Sequence, residues 1–274
     1  MSSSKVARAG QATLKVAKRH IDEKPTLLFI HGMRGSHHGL LPIARFLRPD
    51  YNVLLPDIPG SGDRVELDDK TNDGYAEWLH SYIQQQKFTQ KPIIIAHSMG
   101  SIIVSHFVEK YPQDCADKII YLSPIFRTKR TVKKYHRINT LINASLKLVP
   151  KSFRYSILRS KLVSYCISHV LTSDKSQQKE IDRLHFRYSG RFASTESLLA
   201  DIKISMNEQT TLTPDKKTLI ILGDDDCLTP YDLALERAQA VHAKFRLIMG
   251  YGHLINYECP ERIATDISNF LEND

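Results

Sequence analysis

Short runs of consecutive apolar residues alternate along the chain with longer segments whose apolar residues recur at helical spacing. The short runs contain no polar alternation, so they are predicted to be strands that are buried on both faces of a sheet. A parallel sheet needs a crossover segment between consecutive strands, and the helical segments fit that need. The predicted strands are residues 26–31, 52–57, 92–97, 118–123, 218–223 and 245–250.

Helices are predicted between these strands at residues 37–47, 74–86, 99–111 and 231–242, and a final helix runs to Leu271. Pro260 lies just inside the final helix, where a first-turn proline is favourable because its missing N–H has no helical partner. The fold class predicted from this alternation is α/β, with a mostly parallel central sheet and helices on both faces.

The segment 126–213 interrupts the alternation of strands and helices. It has no convincing buried strand, and its apolar residues recur with a helical period. We therefore predict a core made of residues 1–125 and 214–274, with a helical insertion at 126–213. The residues that carry the helical period are Ile138, Leu141, Ile142 and Leu146, followed by Ile157, Leu158, Lys161 and Leu162.

The N-terminal residues are basic but are not followed by an apolar stretch, which argues against a secretory signal. No apolar run approaches the roughly 18 residues that a membrane span needs. Residues 12–19 alternate apolar and polar positions, as a half-exposed strand does. The four cysteines fit neither a disulfide framework nor a metal motif. These features predict a cytoplasmic protein without a structural metal.

The motif that indicates chemistry is Ala-His-Ser-Met-Gly at residues 96–100, between a predicted strand and a predicted helix. A serine at such a strand-to-helix turn presents its hydroxyl above the sheet, and small neighbours make room for the turn. The motif alone is a weak signal, but its position between a strand and a helix strengthens it. Ser98 is the predicted nucleophile.

A nucleophilic serine needs a general base and an acid that orients the base. His253 follows the last predicted strand, at the sheet edge where ligands of parallel sheets bind, so it is the predicted base. An isolated histidine in a glycine-rich loop is otherwise most often a surface residue. The predicted acid is one of three consecutive aspartates, Asp224, Asp225 and Asp226, which follow another strand.

Two backbone N–H groups are candidates for an oxyanion hole. The N–H of Met99 directly follows the nucleophile at a helix N-terminus, and the N–H of Met33 lies in the loop after the first strand. His31 begins the same loop, and we interpret it as a structural residue that is hydrogen-bonded within the loop.

The motifs LFIHG, LPDIPGSGDR, AHSMG, ILGDDDCLTP and GHLINYECPERI resemble the α/β-hydrolase superfamily in order and spacing. The chain looks most like the branch that contains small esterases, lipases and carbon–carbon bond hydrolases. This resemblance implies that Asp226 is the acid, given its spacing to Gly223 and Pro230, and that the insertion forms a helical lid. Two features depart from the family: Ala96 replaces the usual glycine, and the strands before residue 26 are short, so the usual first strand is expected to be missing.

The predicted function is hydrolysis of a carboxylic ester or thioester through an acyl-enzyme on Ser98, without a cofactor. A serine nucleophile argues against dehalogenases and epoxide hydrolases, which use aspartate there. Carbon–carbon bond hydrolases, acyltransferases and cofactor-free haloperoxidases keep the same triad, so they remain alternatives. A catalytically inactive binding protein is disfavoured because every element of the site is present.

The positive charge of the chain, +8 overall, is concentrated in the insertion. Residues 127–191 contain 16 Lys and Arg but only 3 Asp and Glu, a net charge of +13, which leaves −5 for the rest. Such a one-signed surface attracts anionic partners. Candidates are an anionic lipid surface, an acidic acyl-carrier protein or a phosphate-bearing acyl thioester, although solvated lysines without a partner are the simpler interpretation. No nucleic-acid motif accompanies the charge.

Overall fold

The structure of the protein, a computed structural model, describes residues 24–61, 65–128, 133, 136–137, 140–141, 144–145, 147–188 and 192–273. The strand predicted at residues 12–19, and with it the question of the missing first strand, lies outside the described residues. Three members of one predicted helical face, Ile138, Ile142 and Leu146, lie outside them too.

The described residues form a central sheet of six strands, all parallel, in the order β2-β1-β3-β4-β5-β6. The predicted α/β class with a mostly parallel sheet is therefore confirmed. The strands are β1 (Thr26–Ile30), β2 (Asn52–Leu54), β3 (Ile93–His97), β4 (Lys118–Leu122), β5 (Lys217–Gly223) and β6 (Lys244–Ile248).

Helices cover both faces of this sheet, which explains the continuous apolar sequence of its strands. Leu27 and Phe29 of β1 point into one apolar cluster, whereas Leu28 and Ile30 point into another on the opposite face. Helices α1 (His37–Leu47) and α10 (Pro260–Asn273) pack on the first face. Helices α2 (Asn72–Gln86), α3 (Met99–Lys110) and α8 (Tyr231–Ala240) pack on the second.

Several element ends differ from the sequence prediction for reasons of proline or capping. Strand β2 ends at Leu54 rather than at 57, since Pro56 has no N–H to donate to a ladder. Helix α2 begins earlier than predicted, after Thr71, whose hydroxyl accepts a hydrogen bond from the Gly74 N–H at 3.3 Å. Pro260 is the first residue of α10, so the predicted first-turn position is confirmed.

The described part of the segment between β4 and β5 has helices as its regular elements, together with an isolated bridge from Phe192 to Ser61. The exact boundaries of the insertion, 126–213, stay a prediction. Among the described residues, no helix is long and apolar enough to cross a membrane. The helices of this segment are α4 (Lys151–Leu158), α5 (Lys161–Leu171), α6 (Gln178–Tyr188) and α7 (Thr195–Asn207), and α9 (Ile255–Glu258) follows β6.

Candidate active site

Ser98 lies at the turn between β3 and α3 in a strained backbone conformation, with φ 53° and ψ −125°. Non-glycine residues rarely adopt a positive φ, and such strain concentrates at functional sites. The turn packs closely on its neighbours. A Cβ on Gly100 would lie 2.6 Å from the His31 carbonyl oxygen, and a Cβ on Gly32 would lie 2.8 Å from the Ser98 Cβ. Glycine is therefore a steric requirement at both positions.

The structure joins the three predicted triad residues by hydrogen bonds. The His253 Nε2 lies 2.8 Å from the Ser98 Oγ, and the His253 Nδ1 lies 2.8 Å from the Asp226 Oδ2. All three residues are buried, and each follows the carboxyl end of a parallel strand. The arrangement can move a proton from the serine hydroxyl to the imidazole while the carboxylate holds the imidazole in one tautomer.

The three consecutive aspartates have different surroundings, which sequence reasoning alone did not reveal. Asp226 contacts His253, and its Oδ1 also accepts hydrogen bonds from the Leu228 and Thr229 N–H groups. Asp224 accepts the Gly250 N–H at 2.6 Å and the Tyr251 N–H at 3.3 Å, while Asp225 is exposed. Asp224 therefore supports the loop that carries the histidine, and only Asp226 reaches it.

The loop of His253 is held in part by the C-terminal end of helix α5. The Leu171 carbonyl accepts the N–H groups of His253 and Leu254, at 2.8 and 3.1 Å. A Cβ on Gly252 would approach this carbonyl to 2.6 Å, so only glycine fits there. The helical segment thus contributes directly to the geometry of the base.

Glu258 is a second support for this loop that the sequence analysis missed. Its buried carboxylate accepts the Gly252 N–H at 3.0 Å and the N–H groups of Ser173 and Asp174, each at 2.9 Å. Burial raises the pKa of the Glu258 carboxyl above its ordinary value, and these hydrogen bonds oppose the rise. The available signal was an acidic residue within the apolar stretch that follows His253.

The two predicted oxyanion donors flank the nucleophile. Met99 is the first residue of α3, and an N–H in the first helical turn has no intrahelical partner. Met33 follows Gly32, whose backbone lies against Ser98, and it lines the same cavity as Ser98. Within the chain as described, neither N–H donates a hydrogen bond to another protein group. Neither group is therefore committed to another hydrogen bond among the described residues.

Two further histidines lie near the site and are neutral. Burial lowers the pKa of His97 to about 3, with a smaller contribution from His253, and the His97 Nε2 donates to the His253 carbonyl at 3.2 Å. Burial also lowers the pKa of His31, whose Nδ1 donates to the Gly32 carbonyl and whose Nε2 accepts the Ile58 N–H. His31 thus makes the hydrogen bonds expected of a structural residue in the loop.

A cavity with mostly apolar walls opens beside Ser98 and His253. Its walls come from the loop after β1, from α9 and from the helical segment. Two of its residues, Arg34 and His185, were not singled out by the sequence analysis. No group of three or more metal-ligating side chains occurs among the residues described. The apolar lining includes Leu40, Ile167, Leu171, Leu228 and Leu254.

Comparison with known proteins identifies the family of the chain. The sequence profile of the Alpha/beta hydrolase family matches residues 27–266. Monoacylglycerol lipase ABHD6 of Bos taurus is 29% identical over 257 residues, which cover 90% of this chain and 75% of the lipase. Lipase 1 of Psychrobacter immobilis is 22% identical, over 89% of this chain and 76% of its own length.

Solved structures show the same fold. A thermophilic esterase from Thermogutta terrifontis superposes with a TM-score of 0.70 at 18% identity, over 91% of this chain and 90% of that one. The predicted superfamily resemblance is confirmed, because the family profile covers most of the chain. The chain therefore belongs to the Alpha/beta hydrolase family, and its relatives place it among the ester hydrolases of that family.

Proposed function

We propose that this protein cleaves a carboxylic ester or thioester through an acyl-enzyme on Ser98. The observation that carries the proposal is the pair of 2.8 Å hydrogen bonds that link Ser98, His253 and Asp226. His253 accepts the Ser98 proton as the Oγ attacks the carbonyl carbon, and Asp226 stabilises the resulting imidazolium. The Met33 and Met99 N–H groups would donate to the oxyanion of the tetrahedral intermediate.

The second half of the reaction uses the same residues. The imidazolium of His253 donates its proton to the departing alcohol or thiol, and the acyl group stays on the Ser98 Oγ. A water molecule then loses a proton to the His253 Nε2 and attacks the acyl carbon, which releases the acid and restores the serine hydroxyl. No metal or cofactor enters these steps.

The test is covalent labelling followed by product analysis. A fluorophosphonate probe should label the wild-type protein but not Ser98→Ala. It should also label the control Ser105→Ala, which removes a hydroxyl that donates to the Ile102 carbonyl. A rapid mix with p-nitrophenyl acetate should add one acetyl group to Ser98, seen by mass spectrometry. Absence of labelling in the folded wild-type protein would contradict the proposal.

The same samples can separate the other chemistries that share the triad. A vinylogous diketone tests carbon–carbon bond hydrolysis, and an added alcohol acceptor tests acyl transfer. Faster turnover of the diketone than of every ester, or transfer to the alcohol in preference to water, would replace ester hydrolysis as the proposed reaction. Equal or slower turnover of these substrates supports hydrolysis of esters.

We further propose that the helical segment meets an anionic lipid surface. Residues 127–191, which make up most of this segment, carry a net charge of +13, which favours anionic partners. The structure adds a second observation, because large apolar side chains of this segment are exposed. Cationic and apolar groups together are typical of surfaces that bind at the headgroup boundary of a membrane. The exposed side chains are Leu141, Leu148, Phe153, Ile157, Leu162, Tyr165, Val170 and Phe186.

Vesicle binding tests this partner. The protein should sediment with vesicles that contain phosphatidylserine but not with pure phosphatidylcholine, and high salt should weaken the binding. The double change Leu148→Ser and Leu162→Ser should reduce binding. The control double change Phe46→Ser and Met249→Ser, at exposed positions outside the helical segment, should not. Binding to an acidic acyl-carrier protein without binding to either vesicle would overturn the lipid proposal.

A further inference from the structure

The cavity beside Ser98 contains a cationic side chain that has no counter-ion among the described residues. Arg34 lies in the loop after β1, lines the same cavity as Ser98 and is only 6% exposed. No carboxylate of the described residues forms an ion pair with it. The nearby His185 cannot act as a counter-ion. Burial and the charge of Arg34 lower the pKa of His185 to about 4, so its imidazole is neutral. A buried charge is normally paired, so its place here needs an explanation.

Most hydrogen-bond donors of Arg34 are unused in the described part of the chain. Its Nη1 donates to the Leu158 carbonyl at 3.0 Å, and its Cζ lies 6.0 Å from the centre of the Phe192 ring. The Nε is buried and has no hydrogen-bond partner. The hydrogen bond that Arg34 makes to the described residues comes from Nη1, so Nη2 donates to none of them. Nε and Nη2 form the edge of a guanidinium that binds a carboxylate or phosphate with two parallel hydrogen bonds.

The backbone gives no reason for an arginine at this position. Arg34 has a φ of 59°, in the left-handed region that glycine adopts without steric cost. Burial lowers the pKa of Arg34 to about 10, so the side chain still carries its charge at neutral pH. The chain therefore places a charged residue where both the burial and the backbone conformation disfavour it.

A purely structural role accounts for only part of this arrangement. The bond from Nη1 to the Leu158 carbonyl ties the loop to the end of α4, and one neutral amide donor could make it. It leaves the charge and the edge formed by Nε and Nη2 unexplained. A ligand that enters the cavity and carries an oxyanion would supply both the counter-charge and the acceptors.

We propose that Arg34 determines specificity by binding an oxyanion group of the substrate, a carboxylate or a phosphate, while the ester of the same molecule lies at Ser98. This inference rests on the proposed ester hydrolysis, because it names the class of ester that the site selects. The preferred substrates would be esters that carry one additional negative charge within reach of the loop after β1. The arginine would also help to orient the scissile carbonyl, since charge-assisted bidentate bonds fix direction as well as distance.

Two matched pairs of esters test the proposal and separate the two sources of the oxyanion. Mono-p-nitrophenyl glutarate and its methyl diester differ only in a carboxylate on the acyl side. A lysophosphatidate and the monoacylglycerol with the same acyl chain differ in a phosphate on the alcohol side. We expect kcat/KM of the wild-type enzyme to be at least tenfold higher for the charged member of one pair. If the charged member is preferred in neither pair, the proposal is overturned.

Two variants distinguish recognition of charge from tethering of the loop. Arg34→Gln retains a donor for the Leu158 carbonyl but loses the charge, so kcat/KM for the charged ester should fall at least tenfold more than kcat/KM for its neutral partner, and the preference for the charged ester should disappear. Arg34→Lys keeps the charge and should retain part of the preference. An equal loss for both members of each pair would show a structural role only. If Arg34→Gln does not fold, Arg34→Lys provides the test. A smaller preference for the charged ester than in the wild type supports the proposal, and an unchanged preference contradicts it.

Binding measurements keep this proposal separate from the proposed reaction. Ser98→Ala cannot form an acyl-enzyme, so calorimetry on it reports recognition of the glutarate half-ester alone. We expect the half-ester to bind at least tenfold more tightly than the diester, and the double variant Ser98→Ala, Arg34→Gln to lose this difference. If no ester is turned over but this difference is present, ester hydrolysis fails while recognition by Arg34 stands. No difference in binding would overturn the role of Arg34.

Discussion

The core and the helical segment bury their apolar residues to very different extents. The strands of the core hold their apolar residues in two clusters that helices cover on each side. Of the large apolar side chains that are exposed in the described residues, Phe46, Val65, Tyr231 and Met249 belong to the core, whereas all the others lie between residues 141 and 186. The core therefore buries most of its apolar residues internally, whereas the helical segment leaves many of its large apolar side chains exposed.

The two regions are nevertheless joined at the active site. The end of α5 holds the His253 loop through the Leu171 carbonyl, and Glu258 binds the residues that follow α5. Helix α7 contributes a second junction, where Asp201 meets Tyr75 of the core. Despite the contrast in burial, the helical segment is therefore structurally linked to the core.

The largest loss of activity should come from a change in the core, at Ser98. Ser98→Ala removes the nucleophile and should lower kcat by about 10⁶-fold, as removal of a triad serine does elsewhere. Because the change deletes one oxygen at a turn already held by glycines, the melting temperature should stay within a few degrees of wild type. Steady-state assays and calorimetry measure both quantities. More than about a thousandth of the wild-type kcat would contradict the assignment.

The next effect separates the three aspartates. Asp226→Asn should lower kcat by about 10⁴-fold because an amide at this position favours the wrong tautomer of His253. Asp225→Asn, at an exposed position, should leave kcat within about twofold. Asp224→Asn weakens two backbone hydrogen bonds in the His253 loop and should fall between them. If Asp224→Asn proves the most damaging change, the acid of the triad has been assigned wrongly.

The junction between α7 and the core should make stability depend on pH. Burial raises the pKa of Asp201 to about 7, and the Tyr75 hydroxyl donates to its Oδ1 at 3.0 Å. The folded state then retains a proton that the unfolded state releases near pH 4. The free energy of unfolding should therefore fall as the pH rises from about 4 to 7, by on the order of a few kcal/mol.

Urea denaturation at several pH values checks this dependence. Asp201→Asn cannot ionise and retains an oxygen that accepts from Tyr75, so it should remove that part of the pH dependence and be more stable than wild type at pH 8. The exposed Glu196, near the start of the same helix, provides the control Glu196→Gln. An unchanged pH profile in Asp201→Asn would show that Asp201 is ionised throughout this range.

The smallest effect concerns the support of the His253 loop by the helical segment. Glu258→Gln places an amide nitrogen where the carboxylate accepts the Gly252 N–H or the N–H groups after α5, which should cost about 1–3 kcal/mol of stability. The displaced loop should also lower kcat, by about tenfold, with little change in KM. The exposed Glu261 gives the matched control Glu261→Gln. Equal activity of the two variants would mean that the loop keeps its position without Glu258.

The parts of the site that could be predicted are those that local sequence determines. Ser98 is recognisable because strand, turn and helix follow one another within a few residues, and His253 because it follows the last strand. Arg34 and Glu258 could not be found this way, because their contacts with Leu158, Ser173 and Asp174 join residues more than 80 positions apart. Their importance depends on burial and on missing or shared partners, which only the tertiary structure defines.

The same limit applies to the fold. Fully buried strands such as β3 and β5 are predictable because their sequences are continuously apolar, and their order in the sheet follows from parallel crossovers. The edge strand β2 is shorter than its apolar run suggests, since Pro56 ends the ladder. The exposure of apolar residues in the helical segment was unpredictable, because helical spacing indicates an apolar face but not what covers it.

The direct pairing of β4 with β5 has a consequence for how the protein is assembled. The two strands lie side by side although Leu122 and Lys217 are separated by the whole helical segment. The entropy of closing such a loop grows only with the logarithm of its length, about 0.6 kcal/mol for each doubling, so the sheet tolerates a large excursion here. Asp226 and His253, the proposed acid and base, lie beyond this excursion, so the growing chain contains Ser98 long before it contains the two residues that would activate it. The enzyme is therefore expected to have no catalytic activity until β5 and β6 have joined the sheet.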